Sequence, residues 1–177
     1  PEPKNIPGLE VLPSGLEELS RVEDHSSVEL RSSYRKMMMP EHPGIKTTAA
    51  RIVTTACDEG RVCYAKALFY FVRDNFEYVS DPPKGYLENP FEVMLQRGSD
   101  CDGMTVLLAN LLQGAGVTTR LVFVPGHVFP QVKIDEASRK YQEKDGWITL
   151  DPTCKSCDFG EVPLRTWNAE KKDYLYI

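Results

Sequence analysis

The stretch from Gly98 to Gly116 constrains this chain more than any other. Ser99 followed three residues later by Asp102 has the form of a capping box, in which a hydroxyl and a carboxylate satisfy the backbone donors that a helix start leaves open. Met104, Leu107, Leu108, Leu111 and Leu112 then recur at i, i+3, i+4, i+7 and i+8, an apolar stripe that predicts a buried helix. Gly114 and Gly116 are its stop signals. Cys101 falls in the first turn. A thiol there feels the positive end of the helix dipole, which favours thiolate, while Asp100 and Asp102 push the other way. A cysteine taken alone is more often a small buried packing residue, so a partner has to decide.

After Gly116 the period changes. Thr119 to Val124, Val128 to Ile134 and Trp147 to Leu150 are short runs rich in β-branched and aromatic residues, separated by Pro125-Gly126 and by a polar insert from Asp135 to Gly146. They predict three antiparallel strands, and Trp167 to Ile177 offers an edge strand. Helices followed by strands give an α+β fold, with the cysteine helix packed on an antiparallel sheet. His127 opens the second of these strands and Asp151 closes the third in Trp-Ile-Thr-Leu-Asp-Pro-Thr. In an antiparallel hairpin the start of one strand lies beside the end of the next. Asp151 is thereby expected next to His127, where a carboxylate fixes the imidazole tautomer and stabilises the imidazolium formed when a thiol gives up its proton.

The first half of the chain reads as helical. Residues 1–13 hold four prolines and are expected to form an extended arm or linker ahead of a single domain, 14–177. Ser14 to Met39 suits one or two amphipathic helices, broken at Pro40 to Gly44, with His25 and His42 as ordinary surface histidines. Thr47 to Cys57 and Val62 to Phe76 predict two helices, the second well buried. Asn89-Pro90 starts a short helix through Gln96, with asparagine as cap and proline in the first turn. Asp81 to Glu88 and the insert from Asp135 to Gly146 are expected to border the cleft. The net charge of −5 and the lack of a basic cluster argue against a nucleic-acid partner. No apolar run approaches membrane-spanning length. The chain starts at Pro1, so it is expected to be part of something longer, and its localisation stays open.

The pattern Gly-x-x-Cys-Asp-Gly on a helix, then Gly-Val-x-x-Arg-Leu-Val, Gly-His-Val and Trp-x-x-Leu-Asp-Pro-Thr resembles the transglutaminase-like superfamily, its archaeal and bacterial branch, over about Cys63 to Asp158. The resemblance implies a papain-like core in which Cys101, His127 and Asp151 correspond to the catalytic triad. It implies acyl transfer through a thioester on peptide, isopeptide or glutamine amide bonds of a protein or peptide substrate, with no cofactor for the chemistry. Hydrolysis by a cysteine protease-type enzyme is favoured, since nothing here resembles the calcium sites or extra domains of animal transglutaminases. Amine transfer by a transglutaminase and a non-catalytic binding module are the alternatives. The oxyanion of such chemistry needs donors: the backbone N–H of Cys101 and a side chain before the helix, Gln96 or Tyr86.

Five cysteines fit one reactive thiol plus four that pair or bind metal. Cys57 and Cys63 frame a short polar loop, and Cys154-Lys-Ser-Cys157 follows Asp151 directly. Brought together, the two pairs would make a four-thiolate structural zinc site. Kept apart, they would make two local disulfides.

Overall fold

The computed structural model describes residues 2–21, 31–80 and 86–177; the expectations that fall on His25 and on the loop from Asp81 to Gly85 lie outside the described residues. After a 3-10 turn, Leu9–Val11, come α1 (Leu16–Leu19), α2 (Arg31–Lys36), α3 (Pro43–Ala56), α4 (Arg61–Asn75) and β1 (Glu77–Tyr78). Then follow α5 (Pro90–Gln96), β2 (Gly98–Ser99), α6 (Cys101–Gly114), β3 (Thr118–Val124), β4 (His127–Lys133), β5 (Ile148–Thr149), α7 (Leu164–Trp167) and β6 (Asp173–Tyr176). This is the α+β arrangement expected of helices followed by strands.

Helix α6 is the axis of the molecule. Every residue from Gly103 to Leu112 is buried. The expected stripe of Met104, Leu107, Leu108, Leu111 and Leu112 enters one core cluster with α3, α4 and α5. Val106 and Ala109, on the other side, enter a second cluster with Tyr34, Met37, Leu121, Val128 and Leu175. Each such large side chain contributes about 1.5–3 kcal/mol relative to exposure, so packing rather than helix propensity holds α6 in place. Its end is a Schellman motif: Val117 N–H reaches Leu112 O, Gly116 N–H reaches Gln113 O, and Gly116 supplies φ +82°.

The sheet is antiparallel in the order β5-β4-β3-β6. The edge strand expected near the C-terminus is β6, and it joins beside β3, on the side away from β5. Pro125 and Gly126 make the β3–β4 turn. The proline restricts one φ to negative values and Gly126 supplies φ +73°, which sets Val124 opposite His127. The sheet also fixes where the polar insert goes. It follows the far end of β4, six strand residues or roughly 20 Å from His127, so contrary to expectation it does not border the residues around Cys101. The insert is tied to the core, for Tyr141 accepts a hydrogen bond from buried Lys66 at 2.9 Å and packs edge-on against Phe159.

Two further expectations change. Helix α3 starts at Pro43 rather than Thr47, because a proline is tolerated in a first turn. His42 caps it, its Nδ1 accepting from Gly44 N–H at 2.9 Å and its ring lying 4.7 Å from that of Phe91, so it is a half-buried structural residue and not an ordinary surface histidine. The arm lies against the core: Lys4 N–H bonds Ala56 O, Val11 is buried, and Ile6, Leu9 and Leu12 pack beside it. A parallel pair, β1 with β2, was not expected at all. It demands glycine at 98, where a Cβ would stand 2.4 Å from the carbonyl oxygen of Glu77.

Of the two arrangements open to the four remaining cysteines, the structure has the disulfides, Cys57–Cys63 and Cys154–Cys157. Among the described residues no three or more His, Cys, Asp or Glu side chains stand together to hold a metal ion. No described helix is long and apolar enough to cross a membrane.

Candidate active site

Cys101 opens α6, but the residue that caps it is Asp100, one position later than the capping box predicts. Asp100 Oδ1 accepts from Gly103 N–H at 3.1 Å. Ser99 is unavailable for that task because it sits in β2, buried, with its hydroxyl donated to Glu88. Gly103 must be glycine for the same reason, as a Cβ there would lie 2.0 Å from Ser99 Oγ. The glycines of Gly-x-x-Cys-Asp-Gly are thus positions of close approach on either side of the cysteine.

Strand β4 is clamped to the first turns of α6. The Thr105 hydroxyl donates to Val128 O at 3.1 Å, and the backbone N–H of Val128 donates to the sulfur of Cys101. His127 is the next residue back along β4. Its Nε2 lies 2.7 Å from Asp151 Oδ2, with the two side chains 2% and 1% exposed. Its ring stacks over Phe129 at 5.8 Å. The register opposes Gln131 to Thr149, and Leu150 N–H bonds Pro130 O, so Asp151 faces position 129 and reaches diagonally to His127. The other oxygen, Asp151 Oδ1, accepts from the backbone N–H and the hydroxyl of Thr153 at 3.1 and 2.7 Å. The three residues singled out from the sequence therefore gather at one end of the sheet.

Electrostatics alter the expectation for the thiol. Burial is the largest influence and, with Asp102, Asp100 and Asp151 adding to it, pushes the Cys101 thiol up to about 12 against the single bond from Val128. The helix terminus does not prevail, because Cys101 is half-buried among carboxylates. Asp151 goes the other way. Burial acts to raise it, but the hydrogen bond and charge of His127 and the two bonds from Thr153 outweigh burial and hold the carboxyl below its ordinary value.

The side chains expected to serve the oxyanion are turned onto carboxylates, Tyr86 to Glu92 and Gln96 to Glu88. One neighbour of Cys101, Tyr34, carries no signal that sequence reasoning picked up. Tyr34 Oη donates to Asp102 Oδ1 at 2.5 Å across 68 residues of chain, and the thiol of Cys101 is directed at the same oxygen, 4.0 Å away. Burial raises both Asp102 and Glu88 above the ordinary carboxylate range.

The model of the transglutaminase-like superfamily matches residues 46–152, from the first turn of α3 to the residue after Asp151. The chain belongs to that superfamily. The match carries the resemblance read from Cys63 onward back to Lys46, and it leaves out α1 and α2. No curated protein matches the transglutaminase-like chain in sequence. Among solved structures it is similar to a candidate cysteine protease from Cytophaga hutchinsonii (15% identity over 89% of this chain, TM-score 0.49), of whose length it spans 57%. It is also similar to LapG of Legionella pneumophila (14% identity, 87% of this chain and 77% of that one, TM-score 0.46). A candidate protease from Parabacteroides distasonis is a third (12% identity, 75% of this chain and 31% of that one, TM-score 0.46).

Proposed function

We propose that this transglutaminase-like chain is a cysteine hydrolase of peptide, isopeptide or glutamine amide bonds, working through a thioester. The observation that carries the reading is the buried His127–Asp151 pair at 2.7 Å, held at the strand start whose next N–H bonds the sulfur of Cys101.

In this reading Nε2 of His127 is committed to Asp151, and proton exchange with the thiol runs through Nδ1. A thiol this reluctant to ionise gives up its proton as it attacks. The proton moves to Nδ1 while the sulfur bonds to the amide carbon, and the carbonyl electron pair moves onto oxygen. Asp151 holds the neutral imidazole in the tautomer with its proton on Nε2 and stabilises the imidazolium once it forms. Collapse of the oxyanion breaks the C–N bond, and Nδ1–H protonates the leaving amine. Water then attacks the thioester, His127 takes its proton, and the carboxylic acid leaves as the Cys101 thiol is restored. Water as acceptor needs no second binding site, which favours hydrolysis over amine transfer.

The test is mass spectrometry of a mixed peptide pool incubated with the protein and excess labelled primary amine, with Cys101→Ala as control. Cleavage or deamidation that disappears in Cys101→Ala is the expected result. Turnover retained by that variant overturns the reading. Incorporation of the labelled amine at glutamine would make the chain a transglutaminase instead, and the absence of any Cys101-dependent change would favour a binding module.

A further inference from the structure

Among the described residues ahead of the superfamily match, Tyr34 reaches the surroundings of Cys101. Tyr34, on α2, is 4% exposed, and its ring meets Phe123 of β3 edge-on at 5.1 Å. The segment is anchored to α6 independently of that residue, since the buried amide of Asn110 accepts from Met39 N–H at 2.7 Å and donates to Met37 O at 3.0 Å. Its hydroxyl is thus delivered to a fixed place. There Asp102 Oδ1 takes the phenol of Tyr34 and faces the thiol of Cys101, so one carboxylate oxygen serves two donors, one of them the nucleophile. The groups acting on the sulfur and on its carboxylate neighbour come from several sides: Asp102 on α6, Asp100 at its cap, the Val128 N–H on β4 and Asp151 beyond β5 act on the sulfur, while Tyr34 on α2 and His127 on β4 act on Asp102.

We propose that Tyr34 is a positioning residue for the chemistry of Cys101: its hydroxyl holds the Asp102 carboxylate, as the anion, against the thiol, so that the resting nucleophile keeps its proton until substrate turns it from Asp102 to His127. The proposal rests on the reading of Cys101 as nucleophile. An anion beside a thiol disfavours the thiolate, and a phenol donating to a carboxylate favours that anion. Tyr34 acts on Asp102 in that sense, while burial opposes it. Taking away the hydroxyl leaves Asp102 less firmly ionised and weakens its opposition to the thiolate. Asparagine at 102 keeps an acceptor for Tyr34 and removes the charge altogether.

The experiment is the rate of iodoacetamide alkylation of Cys101 against pH, followed by mass in the intact chain, for the parent, Tyr34→Phe and Asp102→Asn, with thermal unfolding of each. The four disulfide-bonded cysteines do not react, so the signal belongs to Cys101. The midpoint is expected to fall by about 1–3 pH units in Asp102→Asn and by less, in the same direction, in Tyr34→Phe. Midpoints that stay at the parent value while Tyr34→Phe unfolds earlier would reduce Tyr34 to a packing residue and overturn the proposal, as would a rise. Should Tyr34→Phe fail to fold, an unmoved Asp102→Asn midpoint alone overturns it. Alkylation needs no turnover, so the outcome is independent of whether Cys101→Ala loses activity.

Discussion

Gly103 stands so close to Ser99 that a Cβ on it would lie 2.0 Å from the hydroxyl oxygen and 2.6 Å from Cβ of the serine. Neither partner has room to move. Ser99 is paired in β2 and bonded to buried Glu88, and Gly103 is fixed by the cap from Asp100. Gly103→Ala is therefore expected to destabilise the fold by about 1–3 kcal/mol, the usual range for overpacking a closed site. It is also expected to lower turnover by displacing the first turn of α6, which carries Cys101. Urea denaturation and kcat measured on the same preparation check both; an alanine variant as stable and active as the parent would mean that Ser99 yields easily.

Asp151 gives a pH-dependent expectation. Its carboxyl is held below the ordinary value near 4, so the unfolded chain binds its proton at higher pH than the folded chain does. The pairing with His127 and Thr153 therefore stabilises the fold fully above that ordinary value, and the contribution is lost as pH falls through the depressed folded value. The stability difference between the parent and Asp151→Asn is expected to be present above the ordinary carboxylate value and to close as the pH falls through the depressed folded value of Asp151. Turnover of the variant at neutral pH is expected to fall roughly 10²–10⁴-fold, because the imidazole loses the anion that orients it. Denaturation curves from pH 2 to 7 and a kcat–pH profile are the measurements.

What could be read from the sequence was whatever local chemistry dictates. The apolar spacing of Met104 to Leu112, the Asn89-Pro90 start and the Pro125-Gly126 turn each specify their own element, and all three elements formed. The order Cys101, His127, Asp151 needed only one more step, the rule that antiparallel neighbours bring a strand start to a strand end. Tyr34 obeys no such rule. Its bond to Asp102 depends on how α2 docks on α6, and that docking is set by Asn110, whose partners are backbone groups of Met37 and Met39 that no side-chain pattern announces. The cap moved from Ser99 to Asp100 because β1 captured Ser99 first, a tertiary pairing of two residues per strand and too short to leave a periodicity. The position of the polar insert was recoverable: an insert that follows β4 must sit at the opposite end from His127, which opens it.

The two disulfides are expected to differ in what they support. Each closes a short loop, and the loop-entropy model gives about 2 kcal/mol for either. Their surroundings differ. Cys57–Cys63 joins the end of α3 to the first turn of α4, inside the main core cluster. Cys154–Cys157 closes the turn that leaves Asp151, where Cys154 N–H bonds Asp151 O and Thr153 holds the Asp151 carboxylate. Arg73 and Lys155 tie the same turn to the end of α4 through Cys157 O and the carbonyls of Arg73 and Phe76. Replacing both cysteines of a pair by serine is thus expected to cost similar stability at either place. Only the Cys154/Cys157 double variant is expected to lower kcat as well, by several-fold, as Asp151 loses its fixed anchor. Urea denaturation and steady-state kinetics on both double variants make the comparison. Intact mass of the parent checks the premise, since two disulfides make the unreduced chain lighter by four hydrogens and leave one thiol to alkylate. Equal kcat in the two double variants would show that Thr153 and the α4 contacts hold Asp151 without the bridge.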